Sequence, residues 1–169
     1  MDLCGPMKNT TLGCAHYFML MTDDCSREVW IYLLVKFQVV AEFHECIALV
    51  EDMISKKVQK IRSDNGGEFI SHALHRFFSQ RGVACQFSTA NTPQQNGVVE
   101  RKNRTVQERA CSMLSQFHLP LLSWSKVVST TVYIINCCPT KPIAEISPEA
   151  AFTGVKPSVS HFKAFGCDA

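Results

Sequence analysis

The sequence predicts an α/β fold, and three observations carry that expectation. Strand-like and helix-like stretches alternate along the chain. The helix-like stretches place apolar residues three and four apart. The 169 residues, 46% hydrophobic and 19% charged, have the composition of one globular domain able to bury a single core.

Each element has a local reason. Cys14 to Thr22 is apolar and β-prone, stops at Asp23-Asp24-Cys25-Ser26 and resumes from Val29 to Val35, which predicts two strands joined by a tight turn. Asp23 and Asp24 are expected to cap that turn. Val39 to Ile54 carries Val40, Phe43, Ile47, Val50 and Ile54 at helical spacing. Val58 to Arg62 reads as a short strand, and Phe69 to Gln80 as a helix with Leu74, Phe77 and Phe78, closed by Gly82. Glu68 suits the start of that helix. A strand from Val83 to Phe87 leads into a loop from Ser88 to Gly97, and a long helix runs from about Val98 to Ser115. Pro120 restarts a helical pattern through Trp124, Val127, Val128, Val132 and Ile135 up to Cys138, where Pro139 to Pro142 break it. Pro148, Pro157 and Gly166 punctuate a tail of short elements and turns. No internal repeat or linker divides the chain.

Two blocks carry the chemistry. One is Arg62-Ser63-Asp64-Asn65-Gly66-Gly67-Glu68-Phe69; the other runs from Thr92-Pro93-Gln94-Gln95-Asn96-Gly97 through Glu100 to Arg104. Thirty-five residues separate Asp64 from Glu100, and Asp2 stands before Leu3-Cys4-Gly5-Pro6. Three carboxylates on three segments meet the requirement of a site that holds two divalent metal ions for phosphoryl transfer. Asp64 follows a strand, and Asn65-Gly66-Gly67 lets the backbone turn sharply beside a sugar-phosphate; the same residues also make a plain turn. On the long helix Asn103, Arg104 and Gln107 lie three, four and seven residues after Glu100, so the four share one face, with Arg101 and Lys102 fanning to the sides. The net charge of +2 is small, but Lys56 to Arg62 and Arg101 to Arg104 are basic clusters flanking the blocks. They would offset the repulsion between carboxylates and a phosphodiester, or serve as ordinary solvated faces.

These blocks, together with Leu119-Pro120, Asn136, Pro139-Thr140-Lys141 and Gly154 to His161, resemble the integrase catalytic core of a copia-type LTR retrotransposon Pol polyprotein, within the retroviral-type integrase family. The resemblance runs from Asp2 to Phe165-Gly166-Cys167. It implies a ribonuclease H-like fold, a mixed five-stranded sheet flanked by helices. The first strand is expected to be truncated, since only Met1 precedes Asp2, and Asp2 to be poorly held. Residues 1–169 would form one integrase core domain, with about 1–118 the ribonuclease H-like part and about 119–169 a helical C-terminal extension. Upstream zinc-binding and downstream DNA-binding regions are expected outside this stretch.

By resemblance the activity is a polynucleotidyl transfer that trims the 3′ ends of element DNA and joins them to target DNA. Asp2, Asp64 and Glu100 are implied as catalytic residues and as ligands of two Mg²⁺ ions, Mn²⁺ substituting, with Asp64 bridging. Asn65, Gln94, Gln95, Asn96, Arg101, Lys102, Asn103, Arg104 and Gln107 are implied as DNA contacts. The partners would be double-stranded DNA, as element ends and as target, and further copies of the chain, with no small-molecule substrate. Two other readings stay open: a nuclease of the same fold acting on RNA–DNA hybrids, and an inactive element fragment that binds DNA or dimerises without turnover.

The nine cysteines include no C-x-x-C pair and are odd in number, which argues against a disulfide framework or a zinc site. His72 and His75 are three apart on a helix, but no second pair completes a metal set. No apolar run of eighteen residues suggests a membrane span, and the expected location is the nucleus and cytoplasm.

Overall fold

Alternation along one strand sets the layers. In the computed structural model, which describes residues 1–35, 39–63, 72–87 and 97–166, β2 (Tyr17–Thr22) lies between β1 (Asp2–Cys4) and β3 (Val29–Leu34). Successive side chains on a strand point to opposite faces. Phe18 and Leu20 pack into one cluster with Val106, Ala110, Trp124, Val127, Val128 and Val132. Met19 faces the other way, among Ile47, Leu74, Phe77, Phe78 and Val83. The result is helices on both faces of the strands. α3 (Gly97–Gln116) and α4 (Trp124–Cys137) cover one side, α1 (Val39–Ile54) and α2 (His72–Arg81) the other.

Both hairpin pairings are antiparallel, with Asp2 opposite Leu20 and Leu20 opposite Ile31. The Asp23 carboxylate accepts from the Ser26 amide at 2.7 Å and the Ser26 hydroxyl at 2.8 Å, closing the β2–β3 turn as its sequence suggests. β4 (Lys60–Ser63) and β5 (Ala84–Phe87) pair in parallel through α2, which ends at Gly82 with φ +68°. β4 starts two residues later than its apolar run implies.

The expected single sheet of five strands is instead two ladders, β1–β2–β3 and β4–β5. They meet where the Met1 amino nitrogen donates to the Arg62 carbonyl at 2.8 Å. A cavity of about 660 Å³ lies at this junction, lined by Met1, Met21, Val58, Ile61 and Arg62 among others.

After β1 the chain turns at Gly5, whose φ is +137°, and a Cβ there would stand 2.6 Å from the Tyr17 ring and 2.8 Å from the His16 carbonyl oxygen. Only glycine fits that approach. At the other end a 3₁₀ turn (Leu121–Ser123) introduces α4, and α5 (Pro148–Thr153) packs Phe152 edge-on to Trp30 at 5.0 Å. Phe165 then returns to the core beside α3 and α4. Gly166, at φ +84°, lies so close to Phe117 that a Cβ would be 3.0 Å from its side chain. No helix among the described residues is long and apolar enough to cross a membrane.

Candidate carboxylate site and its surroundings

The site is built where α3 crosses β1. Val99, Val106 and Ala110 form the buried stripe of α3, and Asn103 falls within it. Its amide nitrogen donates to Asp2 Oδ2 at 2.8 Å, while its Oδ1 is buried with no hydrogen-bond partner among the described residues. One turn further on, Gln107 Nε2 contacts Cys4 Sγ at 2.6 Å. Burial, the Asp2 charge and the opposing Gln107 contact leave the Cys4 thiol pushed up to about 11, so it stays protonated. Asp2 is a strand residue opposite Leu20, and its carboxylate accepts from the Asn103 amide. The contact from α3 supplies what the short strand lacks.

Glu100 is exposed in the first turn of α3, one turn before Asn103. Of the expected DNA-facing row, Arg101 and Arg104 are exposed, Gln107 is half-buried on Cys4, and Asn103 is buried against Asp2 rather than open to a ligand. Lys102 does not fan into solvent; it is half-buried on the side of α3 near Glu28. Asp64, Asn65, Gln94, Gln95 and Asn96 lie outside the described residues. The bond from Met1 to Arg62 nevertheless brings the end of β4, after which Asp64 follows in sequence, against the start of β1.

Among the described residues no three His, Cys, Asp or Glu side chains form a metal-holding group. What the described residues present is the Asp2 carboxylate, with the exposed Glu100 carboxylate one turn before the asparagine that holds it. Such hard donors fit Mg²⁺ and its retained waters. The basic cluster before Asp64 is partly engaged, since Arg62 Nη1 pairs with Asp24 Oδ2 at 3.2 Å.

Behind α3 lies a polar network that sequence reading missed. Asn136, on the inner face of α4, accepts from the Val29 amide at 3.1 Å and donates to the Val29 carbonyl at 2.8 Å and to Glu28 Oε1 at 2.9 Å. An asparagine among Val128, Val132 and Ile135 on a helical stripe was the available signal. Glu28 is buried, and its second oxygen has no hydrogen-bond partner among the described residues. Burial first, then the Glu149 and Asp23 charges, push its carboxyl up to about 7, while Lys102 pulls it down.

The sign of the linkage follows. The unfolded chain releases this proton near the ordinary 4.5, the folded chain only near 7, so Glu28 costs stability as pH rises through that window. The cost is complete above 7 and at most about 3 kcal/mol. Glu28→Gln is expected to leave the melting temperature unchanged at pH 4 and raise it at pH 8. Parallel melting curves of the two proteins across that range check it, and an equal offset at both ends would refute it.

The comparisons agree with this architecture. Residues 33–116 match the family model of the TnsB C-terminal domain. The chain is 42% identical over 169 residues to the retrovirus-related Pol polyprotein from transposon TNT 1-94 of Nicotiana tabacum, covering 99% of this chain and 13% of that protein. It is 34% identical over 152 residues to the corresponding polyprotein from transposon RE1 of Arabidopsis thaliana, covering 89% of this chain and 10% of the relative. Among solved structures, a simian T-cell lymphotropic virus intasome in complex with PP2A regulatory subunit B56 gamma superposes with a TM-score of 0.71 at 17% identity, over 96% of this chain and 56% of that one. The HTLV-2 integrase catalytic core domain in complex with magnesium gives 0.64 at 16% identity, over 89% and 92%.

The fold is thus that of a retroviral-type integrase catalytic core, with its ribonuclease H-like arrangement of strands and helices. The chain belongs with the retrovirus-related Pol polyproteins of plant transposons, and it spans about a tenth of the length of the relatives it matches.

Proposed function

We propose that this chain is the catalytic segment of an integrase, processing the 3′ ends of element DNA and joining them to target DNA in the nucleus. The observation that carries this reading is the Asn103–Asp2 bond, which fixes the helix bearing Glu100 across the strand bearing Asp2. In this reading Asp2, Asp64 and Glu100 hold two Mg²⁺ ions. When bound, these supply activation of the attacking oxygen and charge stabilisation at the leaving oxygen. The chain's own residues position and neutralise. Asn103 holds Asp2 in one orientation, and the exposed Arg101 and Arg104 lie beside Glu100 where a sugar-phosphate strand would pass. In end trimming, the oxygen of water bonds to phosphorus and the element's 3′ oxygen leaves; in joining, that 3′-hydroxyl oxygen bonds to a target phosphorus and the target strand's 3′ oxygen leaves as its hydroxyl. No covalent protein intermediate is required.

Two relatives of known structure support assembly as well. One is an intasome, and the other has been solved in trimeric and dimeric forms. This chain is accordingly read as acting on double-stranded DNA as a homo-oligomer.

The test is reversal of strand transfer on a branched DNA, with Mg²⁺ and then Mn²⁺, comparing the chain with Asp64→Asn. That reaction depends on core chemistry more than on end recognition. Metal-dependent cleavage and rejoining, lost in the variant by at least about 100-fold, is the expected result. Equal activity in both proteins would overturn the carboxylate assignment. No activity in either would favour an inactive element fragment.

A further inference from the structure

A second pocket lies on the flank of α3 away from Asp2. It has a volume of about 350 Å³ between that helix and the turn after α4, and its lining includes Arg27, Arg101, Lys102, Arg109, Thr105 and Thr140. Among the described residues four cations line it and no acid does. Val98, Arg101, Lys102, Thr105 and Arg109 recur at helical spacing, so one face of α3 forms a wall, and Ile135 and Pro139 close the opposite side.

These cations are poorly compensated. Among the described residues, Arg101, Lys102 and Arg109 have no carboxylate within 4.0 Å. Arg27 Nη1 has only Asp24, at 3.7 Å, and is itself buried without a hydrogen-bond partner. Burial and the neighbouring Arg109 and Arg27 charges press the Lys102 ammonium down from its ordinary range. Glu28 acts on Lys102 but does not line the pocket. An arrangement of crowded guanidinium groups beside an ammonium is relieved by an anion, and guanidinium geometry suits phosphate oxygens.

We propose that this pocket binds a phosphate of the DNA backbone, at a site separate from the carboxylates. The assignment deepens the integrase reading and rests on it. Arg101 follows Glu100 directly, so a strand leaving the carboxylate site around the start of α3 would reach the pocket next. The contact would hold DNA without reading its sequence.

The experiment measures binding of a fluorescent duplex against salt concentration for the chain and for Arg109→Gln, Arg27→Gln and Arg109→Lys. Lys163→Gln, an exposed tail lysine away from the pocket, controls for simple loss of surface charge. A backbone phosphate held in the pocket predicts that each glutamine variant lowers the salt slope by about 0.9. Arg109→Lys should recover part of it, and Lys163→Gln should leave it unchanged. Arg109 is exposed, so its variants should fold, and an unchanged melting temperature checks this. If the chain binds DNA and the glutamine variants keep its slope, the pocket assignment fails while the integrase reading stands. If the chain itself shows no salt-dependent DNA binding, the integrase reading fails as well. A second arm uses inorganic phosphate alone. Saturable thermal stabilisation by phosphate that Arg109→Gln abolishes, without any change in DNA binding, would assign the pocket to a free anion and overturn the DNA proposal.

Discussion

Replacing Asn136 with leucine is expected to lower the melting temperature by about 10 °C with little change in side-chain volume. The side chain holds the Val29 amide, the Val29 carbonyl and Glu28 Oε1 together. Val29 begins β3, the outer strand of its ladder, so these backbone groups face α4 rather than another strand. Leucine would leave all three groups buried without their partner. Each such loss costs about 1–3 kcal/mol, and partial relaxation brings the sum to about 3–5 kcal/mol. For a domain of this length 1 kcal/mol moves the midpoint by about 2–4 °C. Against a total stability of about 5–15 kcal/mol the change is severe. Asn136→Asp should be worse still above pH 7, because it sets a second carboxylate against Glu28. Calorimetry of both variants checks this, and a shift below about 2 °C would mean that water replaces the clamp.

Asn103→Ala should reduce the metal-dependent reversal reaction about 10- to 100-fold, the usual cost of losing a group that orients a metal-binding side chain. The Asn103 amide is the bond that joins α3 to Asp2, and it lies one turn from Glu100. Without it Asp2 remains in β1, opposite Leu20, but its carboxylate is free to rotate. The effect should therefore fall on turnover and on the concentration of Mg²⁺ needed, more than on DNA affinity. Asn103→Asp offers a contrast, since it replaces an attractive contact with two adjacent carboxylates. A variant with unchanged turnover and unchanged metal dependence would remove Asn103 from the site. Because Asn103 is buried, a melting curve must accompany the assay, so that lost activity is separated from lost fold.

The same two asparagines show how far the linear chain could be read. Both stand at helical spacing among apolar residues, Asn103 between Val99 and Val106 and Asn136 beside Val132. A residue's place on a helix face is legible from spacing. Its partner is not, because Asp2 lies 101 residues from Asn103 and Val29 lies 107 from Asn136. Of the face of α3 expected to track DNA, the fold turns Asn103 inward, half-buries Gln107 and leaves Glu100 and Arg104 outside. Lys102, expected at the side of that face, lies half-buried near Glu28, because a helical wheel gives angles, not neighbours.

Local chemistry by itself determined the order and kind of the elements. The helical spacing of Ile47 and Val50, the positive φ available to Gly82 and the breaks at Pro139 and Pro142 act over a few residues, and those preferences survive in the folded chain. The resemblance to retrovirus-related Pol polyproteins is likewise legible in short blocks. Only the tertiary structure decided that the strands form two ladders joined through Met1 and Arg62, and that Asp2 is anchored by α3. It alone brought Arg27 beside Arg101, Lys102 and Arg109. Each of these depends on the distance between groups far apart in sequence, and desolvation and charge act through that distance rather than through spacing along the chain.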